Sequence, residues 1–332
     1  MIEVFTNTSL ATGRLCPRKL ELGYNFKLEL DGADPEALAV GSAWHKAHHW
    51  ATRDDDEAAA YDALRLYAPG ELWNQKLGRL FAAQSALMPK IETIIEPEHT
   101  FRVRLEDIEL AGQIDGIIEL EDGRRGILER KTSGEDISEG AAYWNRLRLD
   151  VQVGLYYLAA EAEGWEPQFI LYDVVRKPTI RQARPGTKKD MARMLREIDS
   201  DGVCVYYGER FSEDEARPAI EREKETVGMF GARLSQDIST RPDFYFQRQP
   251  VHRTRDDFIE LARDLRAQVE AIKLYDSIGH YPRNPHACDA YGQCAFFALC
   301  SNNIHPGGDV PTGYRRREHL HPELVDDEPR EA

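Results

Sequence analysis

A chain of 332 residues with 42% hydrophobic content can bury a sizeable core, as one large domain or two intimate lobes. No run of 18 apolar residues occurs, which excludes a membrane-spanning helix, and Met1-Ile2-Glu3-Val4-Phe5-Thr6-Asn7 lacks the basic and apolar regions of a secretory signal. Five cysteines, an odd number, speak for a reducing, cytoplasmic setting and for metal ligation over a disulfide framework, while the net charge of −15 weighs against nucleic-acid binding without deciding it.

Residues 8–24 read as two short helices broken at Pro17, with Cys16 at the joint. Asp34-Pro35-Glu36 supplies a cap and a first-turn proline for a helix that carries Gly41 and His45 and runs to about Trp50. The acidic run 54–57 reads as the solvated start of the next helix, and an amphipathic helix covers 71–92. Strands are expected over 98–105 and 108–120. The Asp122-Gly123 pair between apolar runs is a strong hairpin signal and returns the chain as a strand over 124–131. A helix over 150–163 places Gln152 and Tyr156 four apart on one face. Further on come a strand at 169–175, a helix at 217–228, a strand at 244–251 and a long amphipathic helix at 255–276. The last ordered element spans Asn284 to Cys300. The polar, prolyl and charged composition after it predicts a flexible tail over 304–332, leaving 1–303 as a single domain.

Charge is unevenly spread along the chain. Between Arg176 and Arg196, eight basic residues (Arg176, Lys177, Arg181, Arg184, Lys188, Lys189, Arg193, Arg196) face one acid, Asp190. Such a segment reads as a phosphate-tracking patch or as a solvated helix face.

The hairpin around Asp122-Gly123 carries the chemistry. Asp115 lies on its first strand, and Glu129 and Lys131 on its second; because side chains alternate, Glu129 and Lys131 share a face and Arg130 points away. Two carboxylates brought to about 4 Å repel by roughly 1–4 kcal/mol near a protein surface, a penalty that a divalent cation removes. Few, hard oxygen ligands suit Mg2+ or Mn2+, and a neighbouring ammonium can orient an attacking water or steady charge on phosphorus. The plain alternative is a surface hairpin with an ordinary Glu-x-Lys pair.

Cys288, Cys294 and Cys300 are spaced C-x5-C-x5-C, and residues six apart on a helix are rotated by about 240°, so one straight helix cannot aim all three at a point. Pro285 and Gly292 suggest a loop, a turn and a short helix wrapping something, with Cys16 as the fourth ligand. Four such thiolates suit Zn2+ or a 4Fe–4S cluster; the absence of paired C-x2-4-C knuckles favours the cluster. Cys204, between Val203 and Val205, fits a buried unligated thiol. His45-Lys46-Ala47-His48-His49 has the H-x-x-x-H spacing, but Lys46 stands where a zinc protease needs glutamate. No G-x-S-x-G elbow and no G-x-x-x-x-G-K-[ST] phosphate loop occurs.

Taken in order, Gly41-x-x-x-His45, Gly112-x-Ile114-Asp115, Ile127-Leu128-Glu129-x-Lys131-Thr132 and Gln152-x-x-x-Tyr156 resemble the PD-(D/E)XK nucleases of the RecB type. The framing cysteines, one N-terminal and three C-terminal, resemble its iron–sulfur subgroup, which includes the AddB nuclease domain, CRISPR-associated RecB-like exonucleases and stand-alone phage proteins. The resemblance covers roughly residues 5–300. It implies an α/β (α+β), restriction-endonuclease-like mixed sheet flanked by helices, with a helical part clasped by a metal cluster. It implies that His45, Asp115 and Glu129, with the backbone carbonyl of Arg130, hold the catalytic Mg2+ or Mn2+. Lys131 would orient water or stabilise the transition state, Gln152 and Tyr156 would contact DNA or brace the site, and Glu98 is a lesser candidate. Cys16, Cys288, Cys294 and Cys300 would hold the 4Fe–4S cluster. The implied function is a DNA nuclease, an exonuclease on single strands or ends, in recombination, repair or phage DNA processing, with a helicase or recombination protein as partner. A catalytically silent, cluster-bearing scaffold in a recombination or CRISPR-adaptation complex is the alternative.

Overall fold

The structure, a computed structural model, describes residues 2–32, 36–53, 55–91, 93–183, 203–222, 224–290, 292–307, 309–321 and 324. The Asp34-Pro35 cap, Asp54, Glu92, the part of the basic segment from Arg184 to Arg196, and the tail at 322–323 and 325–332 lie outside the described residues.

Strand β1 (Val4–Phe5) leads into α1 (Asn7–Leu15), whose start is fixed by a capping box in which Thr6 and Ser9 exchange side-chain-to-backbone bonds. Cys16 is extended, and α2 (Pro17–Leu20) restarts with proline in its first turn before a π-helical turn at Glu21–Asn25 and β2 (Leu28–Leu30). Helices α3 (Glu36–Arg53), α4 (Glu57–Tyr67) and α5 (Glu71–Leu87) follow. The last stops short of the expected Glu92, because Met88 precedes Pro89 and a residue before proline is driven out of the helical region.

The sheet is then laid down by β3 (Thr93–Leu105), β4 (Ile108–Glu119) and β5 (Arg125–Ser133). β3 starts earlier than expected: a bulge between Ile94 and Glu96 keeps it paired with β4 while Ile94 packs on Ile118, Leu128 and Phe169. At the β4–β5 turn Gly123 takes a φ of +79° and the Asp122 carboxylate accepts from Arg124 N at 3.1 Å. α6 (Ala142–Leu147) and α7 (Val151–Ala162) cross to β6 (Phe169–Arg176), parallel to β5. After a small hairpin, β7 (Val203–Tyr206) and β8 (Glu209–Ser212), the single helix expected over 217–228 is two. α8 (Glu213–Arg222) ends, and Thr226 accepts from Met229 N at 3.2 Å to start α9 (Val227–Thr240). Pro242 opens one further turn, α10 (Pro242–Tyr245), so β9 (Phe246–Val251) begins two residues later than expected. α11 (Arg255–Ile278) and α12 (Phe297–Ser301) complete the helices. Past residue 304, β10 (Tyr314–Arg316) pairs antiparallel with β2, the Tyr314 ring stacks on Phe296, and His321 lies against Tyr24.

The main sheet has the order β1-β4-β5-β6-β9, with β3 on β4; β1–β4 and β5–β6 are parallel and the rest antiparallel. This is the mixed sheet flanked by helices that the resemblance implied. Both faces are buried. Leu10, Phe101, Ile127, Tyr156, Ile170, Tyr172 and Val269 form one core, with α1, α7 and α11. Val40, Trp44, Leu77, Phe81, Val175, Phe230 and Phe246 form the other, with α3, α5 and α9. A Trp44→Ala change, removing a fully buried ring, falls in the class that costs about 3–5 kcal/mol. Covering both faces explains why β6 reads as a nearly continuous apolar run, and why the charged residues buried in β5 and β6 are informative.

Candidate active site

The β4–β5 ladder runs from Glu119/Arg125 to Gly116/Leu128 and ends there. Past that point the Asp115 carboxylate takes over from the strand: Oδ2 accepts from Arg130 N at 2.6 Å, satisfying a backbone donor that the parting strands would leave bare. Oδ1 lies 3.1 Å from His45 Nδ1, delivered by α3. Glu129 faces the same space and is 1% exposed. Its Oε1 pairs with Lys131 Nζ, and its Oε2, also buried, has no hydrogen-bond partner.

The charges oppose one another sharply. Burial acts to raise Asp115, but His45, Lys131 and the Arg130 N–H outweigh it and hold the carboxyl at about 2. Glu129 is pushed up to about 7 by burial, with Lys131 pulling it down and Asp115 adding repulsion. Burial disfavours protonation of Lys131 and His45, yet Glu129 and Asp115 for the lysine, and Asp115 above all for the histidine, keep both raised. One carboxylate is thus firmly ionised and its neighbour poised near neutrality, a split typical of reacting sites.

Gln152 and Tyr156 are brought to this pocket. Gln152 Nε2 donates to Tyr156 OH at 2.6 Å, and burial first, then Glu129 and Asp115, push the Tyr156 phenol well above its ordinary range. Glu98 belongs to β3. It has a φ of +50°, uncommon for a residue with a side chain, and its carboxylate lies 2.7 Å from His49 Nδ1. His45, His48, His49, Thr52, Pro97, Glu98, Asp115 and Arg130 line one small cleft.

Sequence reasoning noted the His45–His49 spacing but gave His49 no role, and it missed the support beneath the site. The Arg130 side chain runs to the other face, where it is buried and donates to Thr52 Oγ1 at 3.3 Å. Beside it, Asp173 accepts from Gln84 Nε2 and from Arg248, each at 3.1 Å. A carboxylate inside the apolar run Phe169–Val175 was the available signal for Asp173. For His49, four residues after His45 on one helix face, the signal was the spacing itself.

The donor set fits a hard divalent cation: a buried carboxylate oxygen without a partner, a second carboxylate across the strands, and an imidazole. Among the described residues, no three His, Cys, Asp or Glu side chains cluster closely enough to hold an ion as they stand. His45 on Asp115 and Lys131 on Glu129 supply the neutralising charge instead.

Cys16, Cys288, Cys294 and Cys300 line a second cavity of about 180 Å³, with Lys19, Arg283, Asn284 and Phe296 among its walls. Hydrogen bonds tie its two ends together: Asn284 Nδ2 donates to Leu15 O at 2.8 Å, Asn284 N to Cys16 Sγ at 3.5 Å, and Arg18 N to Pro282 O at 3.1 Å. Cys204 lies apart, buried with Phe211, Ala216 and Met229. No helix among the described residues is long and apolar enough to cross a membrane.

A mixed sheet with an acid, an acid and a lysine at the parting of two strands defines a nuclease-type site. Residues 4–301 match the PD-(D/E)XK nuclease superfamily, and the chain belongs to it. No curated protein matches the chain in sequence. Among solved structures, a protein from Eubacterium rectale described as a candidate exonuclease is 9% identical, with 93% of this chain and 91% of that one covered and a TM-score of 0.47. SSO0001 is 15% identical over 53% of this chain, with a TM-score of 0.27; the match spans 64% of that protein, just under two thirds of its length.

Proposed function

We propose that this nuclease is a divalent-metal-dependent DNA exonuclease of the RecB type, stapled by a 4Fe–4S cluster. The observation that carries the catalytic part is the buried, unpartnered Glu129 Oε2 beside Lys131 and across from Asp115. His45, Asp115 and Glu129, with the Arg130 carbonyl, would hold Mg2+ or Mn2+. The ion, when bound, supplies charge neutralisation and a polarised phosphate oxygen. Lys131, released from Glu129, directs its ammonium at the attacking water or at the charge growing on phosphorus. Tyr156 and Gln152 brace the pocket wall and limit water. Phosphodiester hydrolysis needs a barrier lowering on the order of 20 kcal/mol, which positioning, nucleophile generation and charge neutralisation share.

The cysteine cavity supports the cluster reading. Cys16 and the three C-terminal cysteines line it together, from both ends of the chain. DNA strands or ends as substrate, and a helicase or recombination partner, follow from the resemblance to the RecB type. Protein purified without oxygen and given 5′- or 3′-labelled single- and double-stranded DNA with Mg2+ or Mn2+ tests the proposal. Stepwise loss from one end, with iron present and zinc absent by elemental analysis, is the expected result. Internal cutting removes the exonuclease assignment, zinc in place of iron removes the cluster, and no cutting with any divalent metal favours the scaffold.

A further inference from the structure

Helix α3 lies across the three strands that carry the pocket, and it meets them in the order in which they neighbour one another, β5, β4 and β3. Gly41, His45, His49 and Thr52 fall along one face of the helix. Gly41 opposes β5, where a Cβ at the glycine would lie 3.9 Å from Thr132 Oγ1. One turn on, His45 Nδ1 lies 3.1 Å from Asp115 of β4, and a turn further His49 Nδ1 lies 2.7 Å from Glu98 of β3. Thr52 Oγ1 then accepts from the Arg130 guanidinium at 3.3 Å. His48 is turned elsewhere, against Trp44 and Phe81 at ring-centroid distances of 4.8 and 5.2 Å. His45 is thus flanked on its own helix by a close approach on one side and a charged contact on the other.

The backbone at Glu98 does not favour a glutamate. Pro97 pairs with Gly116 and His99 with Ile114, which sets Glu98 opposite Asp115 on the neighbouring strand, where like charges repel. Its φ of +50° is one that glycine adopts freely and a residue with a Cβ does not. What glutamate adds at this position is a carboxylate, and that carboxylate meets His49. The cleft shared by His45, His49, Glu98, Asp115 and Arg130 has a volume of about 10 Å³, on the order of a single water and too small to seat a nucleotide. The contact therefore acts on the protein and not on a substrate in that cleft.

We propose that Glu98 and His49 are positioning residues, which fix the seat of α3 on β3 and so hold His45 against Asp115 at the metal-binding pocket. Their purpose rests on the nuclease reading, whereas the orientation they give to His45 does not depend on it. Neither residue is a metal ligand, and both act through His45.

The test compares Glu98→Gly, Glu98→Gln and His49→Ala with wild type, alone and combined with His45→Gln. Glu98→Gly suits the positive φ, so it should unfold close to the wild-type temperature while lacking the carboxylate. Glu98→Gln keeps an oxygen that can accept from His49 Nδ1. Three quantities are read: the His45 ring signals of 15N-histidine-labelled protein in EDTA, assigned with His45→Gln; Mn2+ affinity by titration; and kcat and KM on end-labelled DNA. In Glu98→Gly and His49→Ala the His45 signals should move, Mn2+ affinity should fall by about tenfold, and kcat at limiting Mn2+ should fall while KM for DNA holds. Glu98→Gln should recover most of the loss, and in the His45→Gln background Glu98→Gly should cost nothing further. Unmoved His45 signals in Glu98→Gly overturn the proposal. So does a Glu98→Gln that loses as much Mn2+ affinity as Glu98→Gly, which would make Glu98 itself a ligand, or a further loss in the His45→Gln background. If wild type neither binds Mn2+ nor cuts DNA while the His45 signals still move in Glu98→Gly and return in Glu98→Gln, the nuclease reading fails and the positioning role stands.

Discussion

The carboxylate pocket and the cysteine clasp are built in opposite ways. Asp115, Glu129 and Lys131 come from two adjacent strands, and register alone puts them together; His45 is the only one of the four brought from afar. The clasp joins Cys16 to three residues near the other end of the chain, on loops, a turn and a five-residue helix. The pocket's charges cancel in pairs, so it keeps its shape without an ion. The clasp has a few hydrogen bonds around a cavity, and under the proposed cluster reading its rigidity would come from the bound group. Losing a pocket residue should therefore cost chemistry, and losing a clasp residue should cost the fold.

The largest expected effect lies on the clasp side. Cys300→Ser should give a colourless, poorly folded protein, since structural metal binding contributes on the order of 10 kcal/mol. Visible absorbance, iron content and denaturant melts check this, and a stable brown variant would break the contrast. Next comes the support under the pocket. Asp173→Ala leaves the buried Arg130 and the half-buried Arg248 with one anion fewer, which should cost about 3–5 kcal/mol in urea unfolding.

A smaller effect of the opposite sign sharpens the contrast inside the pocket. Glu129 is raised to about 7, above its unfolded value of about 4.3, so its contribution is fully present below about pH 4.3 and is lost as pH rises through 7. At about pH 8 in EDTA, Glu129→Gln should thus be more stable than wild type by on the order of 1–3 kcal/mol. Added Mn2+ should reverse the order, because only wild type gains from the ion. Equal melting curves with and without metal would contradict this. The smallest effect belongs to His99, between Glu96 and Glu163 on the outer strand. Burial lowers it, but the two glutamates outweigh burial and raise it, so its stabilisation is present below about pH 6.5 and fades as pH climbs through the folded value. His99→Asn should destabilise at about pH 5.5 and match wild type at about pH 9; a deficit that persists at the higher pH would mean the contact is packing.

Legibility followed the range of the interactions. The Asp122-Gly123 turn and the alternation of Glu129, Arg130 and Lys131 are local, and the sequence showed them directly. The early start of β3 and the pairing of β10 with β2 depend on partners far along the chain, and no local pattern announced them; the helix break at Thr226 did have a local signal, its capping hydroxyl. Asp115 could be placed on its strand, but its bond to Arg130 N could not, because that depends on where the ladder stops. The contact of Glu98 with His49 was hidden for the same reason: a positive φ and a helix from another part of the chain create it.

The most direct test of the central claim is the single-turnover rate on end-labelled DNA in Mn2+ for wild type and Asp115→Ala, with thermal unfolding measured on the same samples. The account expects wild type to cut, and the variant to fall by about a hundredfold or more while still unfolding in one cooperative transition, at a melting temperature lowered by the lost Arg130 N–H and His45 contacts. Equal cutting by both proteins, or cutting that is the same in EDTA, would contradict it.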